Sequence, residues 1–243
     1  MKKVKGFLLK NSLLLKRLAI VFLVLMAAMP FRCGRPSDRE IRSKVVKLSS
    51  ARGSCSGQQV MAASGIDYIL TAGHCRALEV AGSILVTTED GRSLYRRIVA
   101  EDELSDLLLL EGIPNINGLA VAHTNFPQQE VRTFTHGRGF DTYKTSGVLI
   151  QDYVISALIS LNAEDCPKMP KYKVVSANTF FGTITACLLS VNETVTTAMI
   201  VPGSSGGAVV NAAGELVGVV SAGDGQFGYL VTLFDIKKFL SNY

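Results

Sequence analysis

Three residue types that can move a proton and attack a carbonyl occur in a fixed order along this 243-residue chain. They are a histidine in Thr71-Ala72-Gly73-His74-Cys75, an aspartate in Ser105-Asp106-Leu107-Leu108-Leu109-Leu110 and a serine in Pro202-Gly203-Ser204-Ser205-Gly206-Gly207-Ala208. A serine hydroxyl is a weak nucleophile at neutral pH and needs a base to take its proton during attack and return it to the leaving group. A neutral imidazole does this only in the right tautomer, which a carboxylate accepting from its other ring nitrogen sets. His74 is the expected base, Asp106 the orienting acid and Ser205 the nucleophile. Asp106 directly precedes an apolar run, as suits a carboxylate at the edge of a core strand, whereas the competing Asp102 lies in Glu101-Asp102-Glu103, a polar patch that reads as a solvated turn.

In this order the three runs resemble those of the trypsin/chymotrypsin-like serine peptidases, particularly the compact bacterial branch related to HtrA-type protease domains. The resemblance covers roughly residues 48–243, and Asp106 with its leucines is similar to the family's Asp-Leu-Ala-Leu-Leu pattern. It implies a serine endopeptidase that hydrolyses peptide bonds through an acyl-enzyme, with the backbone N–H groups of Gly203 and Ser205 as oxyanion hole. It also places the specificity pocket at Met199, Ile200, Ser221, Ala222 and Gly223. No acid stands at those positions to select Arg or Lys, and no histidine lies in Val219–Gly225 to select Glu, so a small or medium apolar residue is expected before the scissile bond. Ser204 occupies the place of the aspartate that receives a new N-terminus in digestive and clotting relatives, so no such zymogen switch is expected.

Gly203-Ser204-Ser205-Gly206-Gly207 also satisfies the G-x-S-x-G elbow of α/β-hydrolases. Those enzymes run Ser, acid, His, whereas none of the three histidines here (His74, His123, His136) follows Ser205. The alternative from another class is a catalytically silent peptidase homologue acting as a binding protein, which the complete set of three residues argues against. His123 and His136 have no Cys or acid at ligand spacing, so neither a metal nor a cofactor is expected.

Charge is divided unevenly. Residues 1–47 hold 12 Lys/Arg against Asp38 and Glu40, a net of +10, and the other 196 residues carry 13 Lys/Arg against 18 Asp/Glu, a net of −5. The later part shows no basic stripe, which argues against nucleic acid as a partner and leaves a protein or peptide substrate. The positive charge precedes an uncharged, mostly apolar run of 14 residues, Leu18–Phe31, the pattern of an n-region followed by an h-region. That run is short of the roughly 20 residues that span a bilayer, so residues 1–31 are expected to be a signal peptide, with a membrane anchor as the alternative. Residues 32–43 then read as a linker and 44–243 as the peptidase domain. The expected location is periplasmic or extracellular, with membrane contact only through a retained N-terminal segment.

Export implies an oxidising compartment, and the four cysteines beyond the linker form an even set. In the family the cysteine directly after the catalytic histidine bridges to a strand upstream, which implies Cys55–Cys75 and leaves Cys166 for Cys187; Cys33 is the odd one.

The elements that must position these residues are short β-rich runs at spacings of about ten residues: 59–62, 68–71, 84–87, 97–100 and 107–110, then 131–135, 147–150, 172–175, 182–185, 208–210 and 216–220. Strict alternation is weak in the first group. The expected fold is all-β, and the resemblance implies two six-stranded antiparallel barrels with the active site in the cleft between them. Leu233, Ile236, Phe239 and Leu240 at helical spacing close the chain as a short C-terminal helix, with no PDZ-like module expected after it.

Overall fold

The computed structural model describes residues 35–137, 141–160, 172–179 and 182–243. The N-terminal run read as a signal, Cys33 and Cys166 lie outside the described residues.

Helix α1 (Asp38–Arg42) is followed by β1 (Val45–Ser50), β2 (Gly53–Met61), β3 (Asp67–Ala72), a 3-10 turn (Gly73–Leu78), β4 (Ser83–Thr87), β5 (Ser93–Asp102) and β6 (Leu107–Glu111). These six strands close into an antiparallel barrel in the order β1-β2-β3-β6-β5-β4. The second half comprises β7 (Glu130–Thr135), β8 (Tyr143–Ser160), β9 (Tyr172–Thr179), β10 (Gly182–Thr196), β11 (Ala208–Val210), β12 (Leu216–Gly223), β13 (Gly228–Val231) and helix α2 (Leu233–Leu240). Its sheet runs β13-β12-β11-β7-β8-β10-β9, and pairing of β10 with β13 closes six strands into a second barrel that β9 extends from outside. The expected double barrel and terminal helix are both present. The apolar runs had not marked β1 or β13, which are short strands completed by their neighbours' hydrogen bonds.

The weak alternation of the first half has a packing cause. Strand β6 is buried on both faces: Leu108 and Leu110 fill the first barrel, while Leu107 and Leu109 face a core shared with the second. Each buried leucine contributes about 1.5–3 kcal/mol of transfer free energy. Across the shared core lie Phe134, Val210, Leu216 and Val219, with Ile236, Phe239 and Leu240 of α2 sealing it. Thr232 caps α2 by accepting the Asp235 N–H at 3.1 Å.

Part of the segment read as linker joins this core. Ser37 caps α1, Ile41 is buried among residues of both barrels, and Asp38 pairs with Arg132 at 2.7 Å and Lys144 at 2.6 Å. One apolar residue in a charged stretch gave too little periodicity to reveal the helix.

Candidate active site

His74 enters on the 3-10 turn that follows β3, and Asp106 stands directly before β6, the strand that pairs with β3. Adjacent strand ends therefore bring together residues 32 positions apart. Asp106 Oδ1 accepts the backbone N–H of His74 at 2.8 Å and Oδ2 lies 2.9 Å from its Nδ1, so one carboxylate holds both the turn and the ring. The Asp106 carbonyl also accepts the Gly73 N–H at 2.8 Å. Its backbone has φ +53, a left-handed conformation in which Asp is one of the tolerated residues. Asp102 caps a turn, accepting from the N–H groups of Leu104 at 3.0 Å and Ser105 at 3.3 Å.

Burial pulls the Asp106 carboxyl upward, but hydrogen bonds from the His74 ring and N–H, the histidine's charge and the Ser221 hydroxyl together hold it below the usual carboxylate range. Ser221, expected only in the specificity pocket, makes two contacts here. Its hydroxyl donates to Asp106 Oδ2 at 3.1 Å and its carbonyl accepts the Ser205 hydroxyl at 3.2 Å. Ser221 thus stands between Asp106 and Ser205, meeting the first through its hydroxyl and the second through its backbone carbonyl.

The segment carrying Ser205 is two successive turns. Ser204 N–H donates to the Val201 carbonyl at 3.0 Å, with Pro202 and Gly203 between them and Gly203 at φ +87; Pro then Gly in that conformation is a type II turn. Its central peptide carries the Gly203 N–H, and types I and II differ by a flip of that peptide, so the turn type sets where this donor points. Gly207 N–H then donates to the Ser204 carbonyl at 2.9 Å, with Gly206 at φ +81. In a planar trans peptide the N–H points opposite its carbonyl, so this bond turns the Ser205 N–H outward. Neither Gly203 N–H nor Ser205 N–H has an acceptor among the described residues. Gly206 is also a point of close approach: a Cβ there would lie 2.2 Å from the Ser56 carbonyl oxygen of the first barrel.

Cys55 and Cys75 form a disulfide, Cα–Cα 6.2 Å, that ties β2 to the turn bearing His74. The pairing expected from the resemblance is the one found. Cys187 is also disulfide-bonded. Cys55, His74 and Cys75 place their donor atoms within 4.8 Å of one another, but both sulfurs are spent in the bridge, which leaves a lone imidazole and no metal-binding set.

The five residues read as a pocket divide. Met199 is exposed, as are Ala222 and Gly223 at the end of β12. Ile200 is buried and lies against two glycines: a Cβ at Gly223 would be 2.7 Å from Ile200 Cβ, and one at Gly228 would be 2.5 Å from its Cγ1. The isoleucine fills the space that the two glycines leave. Beyond it, Asp224 fastens the loop between β12 and β13, accepting from Tyr229 Oη at 2.6 Å, Phe227 N at 2.8 Å and Gln226 N at 2.9 Å, contacts that hold its pKa down to about 2.

Sequence reasoning missed Glu193 on β10. Burial pushes its carboxyl above the usual range and the Asp106 charge adds to this, against the pull of the Ser221 hydroxyl. The signal was legible: in Val191-Asn192-Glu193-Thr194-Val195 the acid takes a place on the valine face of an alternating strand. Two further contacts of the nucleophile loop, the Ser56 N–H to the Ser205 carbonyl at 2.7 Å and Thr135 Oγ1 with the Ser204 hydroxyl at 3.0 Å, had no such signal, because they join segments far apart in the chain.

A family model for the "Trypsin-like peptidase domain" matches residues 55–219. A curated Haemophilus influenzae protein named "Probable periplasmic serine protease do/HhoA-like" is 29% identical over 173 residues, covering 70% of this chain and 31% of its own length. The chain therefore spans about a third of that relative. Among solved structures, the active form of the Rv3671c protease from M. tuberculosis aligns with TM-score 0.62 at 18% identity, covering 87% of this chain and 86% of that one. The serine endoprotease from Yersinia pestis aligns with TM-score 0.56 at 20% identity, covering 85% of this chain and 67% of that one.

Proposed function

We propose, for a chain that belongs to the trypsin-like peptidase family, that it is a serine endopeptidase in which His74, Asp106 and Ser205 form the catalytic triad. The observation that supports this reading is the Asp106 carboxylate accepting from both the N–H and Nδ1 of His74, with Ser205 held beside them on its glycine turns and its hydroxyl donating to the Ser221 carbonyl at rest. Ser205 Oγ attacks the scissile carbonyl while His74 takes its proton. Asp106, accepting from Nδ1, keeps Nε2 unprotonated beforehand and stabilises the imidazolium afterward. The N–H groups of Gly203 and Ser205 receive the negative oxygen of the tetrahedral intermediate. His74 returns the proton to the leaving amine, leaving an acyl-enzyme that water hydrolyses by the same sequence in reverse.

Ile200, by filling the space between Gly223 and Gly228, leaves a shallow pocket that suits a small apolar side chain before the scissile bond. Substrates are proteins or peptides. The chain acts outside the cytoplasm, as a signal-like N-terminal run, the Cys55–Cys75 bridge and a relative named periplasmic all support.

A fluorophosphonate probe tests the reading. Labelling located by mass spectrometry at Ser205, and abolished in Ser205→Ala and His74→Ala, is the expected result. A folded, oxidised protein that does not label would favour a silent, partner-binding homologue.

A further inference from the structure

Ser56 is fully buried, and every polar atom it has is bonded to an element that shapes the cleft. Its N–H donates to the Ser205 carbonyl at 2.7 Å and its carbonyl accepts the Thr71 hydroxyl at 2.7 Å. Its hydroxyl accepts the His136 N–H at 2.8 Å and donates to the Gly203 carbonyl at 3.0 Å. One residue of β2 therefore connects the strand before His74, the end of β7 and the peptides flanking the nucleophile.

The bond to Gly203 has a specific consequence. The Gly203–Ser204 peptide is held at both ends, its carbonyl by Ser56 Oγ and its N–H by the Val201 carbonyl. With that plane fixed, the φ and ψ of Gly203, whose φ is +87, set where the Gly203 N–H points. The His136 N–H matters as well: by occupying the hydroxyl's acceptor side, it directs the Ser56 proton toward Gly203. A second uncharged contact supports the same loop, because the buried Ser204 hydroxyl lies 3.0 Å from Thr135 Oγ1 on β7.

We propose that Ser56 is a positioning residue for the oxyanion hole: its hydroxyl, oriented by the His136 N–H, clamps the Gly203 peptide so that the loop is held in its donor-outward form without a charged latch. This rests on the triad and oxyanion assignment above. Ser56 touches neither substrate nor the reacting atoms, and it acts through the direction of one N–H. Misdirecting a single oxyanion donor costs up to about a thousandfold in rate, and a partly held loop loses less.

The test compares the full chain with Ser56→Ala and Ser56→Thr, using an alanyl ester substrate and a peptide boronic acid as transition-state analogue. Wild-type hydrolysis of the ester and labelling at Ser205 come first; their failure would overturn the triad reading, independently of Ser56. For Ser56→Ala we expect kcat about 10- to 100-fold lower, KM within about twofold and boronate affinity weakened in parallel with kcat. Ser56→Thr, which keeps the hydroxyl, restores most of both, and Ser56→Gly, which also lacks it, takes the place of the alanine variant if that does not fold. Unchanged kcat in Ser56→Ala, a loss confined to KM, or a kcat loss with unaltered boronate affinity would overturn the proposal. So would Ser56→Thr as impaired as the alanine variant.

Discussion

Asp106 holds His74 twice, through the backbone N–H at 2.8 Å and through Nδ1 at 2.9 Å. Because the turn and the ring share one carboxylate, its bond to the backbone N–H fixes the position from which it holds the ring. Positive φ at Asp106 is part of this arrangement, since the left-handed conformation occurs where the chain turns from the β5–β6 connection into β6.

Asp106→Asn is the cleanest probe of that relationship, because Asn tolerates the left-handed backbone while removing the charge. We expect kcat to fall by about 10⁴-fold, the loss typical when a triad carboxylate can no longer set the tautomer. The stability effect has a definite sign. The folded carboxyl is held below its usual pKa, so it contributes stability above the unfolded value that is lost as pH falls through the folded one. Thermal melts should show wild type above Asp106→Asn at neutral pH, with the gap closing in acid.

Gly203→Ala should lower kcat by about 10²- to 10³-fold with little change in KM. A Cβ disfavours φ +87 by about 1–2 kcal/mol, and relaxation to a type I turn would flip the N–H proposed to receive the oxyanion. Steady-state kinetics on the ester check this, and a raised KM with normal kcat would contradict it.

Glu193→Gln should do two things. The carboxyl is raised in the folded state, so ionising it destabilises the fold as pH rises through that value; the variant should melt higher than wild type at pH 7 and alike at pH 4. The titratable groups facing it are the Asp106 carboxylate and the neutral Tyr229 phenol, with Asp224 beyond Tyr229. Removing one negative charge beside Asp106 also makes the imidazolium less favourable, so the acid limb of kcat/KM should move to lower pH.

Removing the bridge by Cys55→Ala with Cys75→Ala should cost about 3 kcal/mol in a denaturant titration, as expected for a loop of this length. Fluorophosphonate labelling of the folded variant should also slow, because the turn that presents His74 loses its tie to β2. Labelling at the wild-type rate would show that Asp106 alone is enough to place the ring.

Ile200→Ala should enlarge the space between Gly223 and Gly228 and shift a peptide-library profile from small toward larger apolar residues. Enrichment of Arg, Lys or Glu in wild type would sink the pocket assignment.

The spacing of the apolar runs determined an all-β chain and a terminal helix, because periodicity is a local property, while the double barrel was implied by the family resemblance that the three runs carry. The pairing of Cys55 with Cys75 was implied by the same resemblance, and the structure contains it. Tertiary structure alone decided the rest. That Leu107 to Leu110 face two cores at once, that Ile41 belongs to one of them, and that Ser221 links Asp106 to Ser205 follow from how the barrels pack. Ser56 is the clearest case. Nothing in its neighbourhood distinguishes it from any other serine, and its four hydrogen bonds exist only because β2 is brought against Thr71, His136 and the turns around Ser205. Hydrogen bonds between residues up to 149 positions apart leave no periodic trace in the chain, since each is satisfied by geometry that only the closed barrels create.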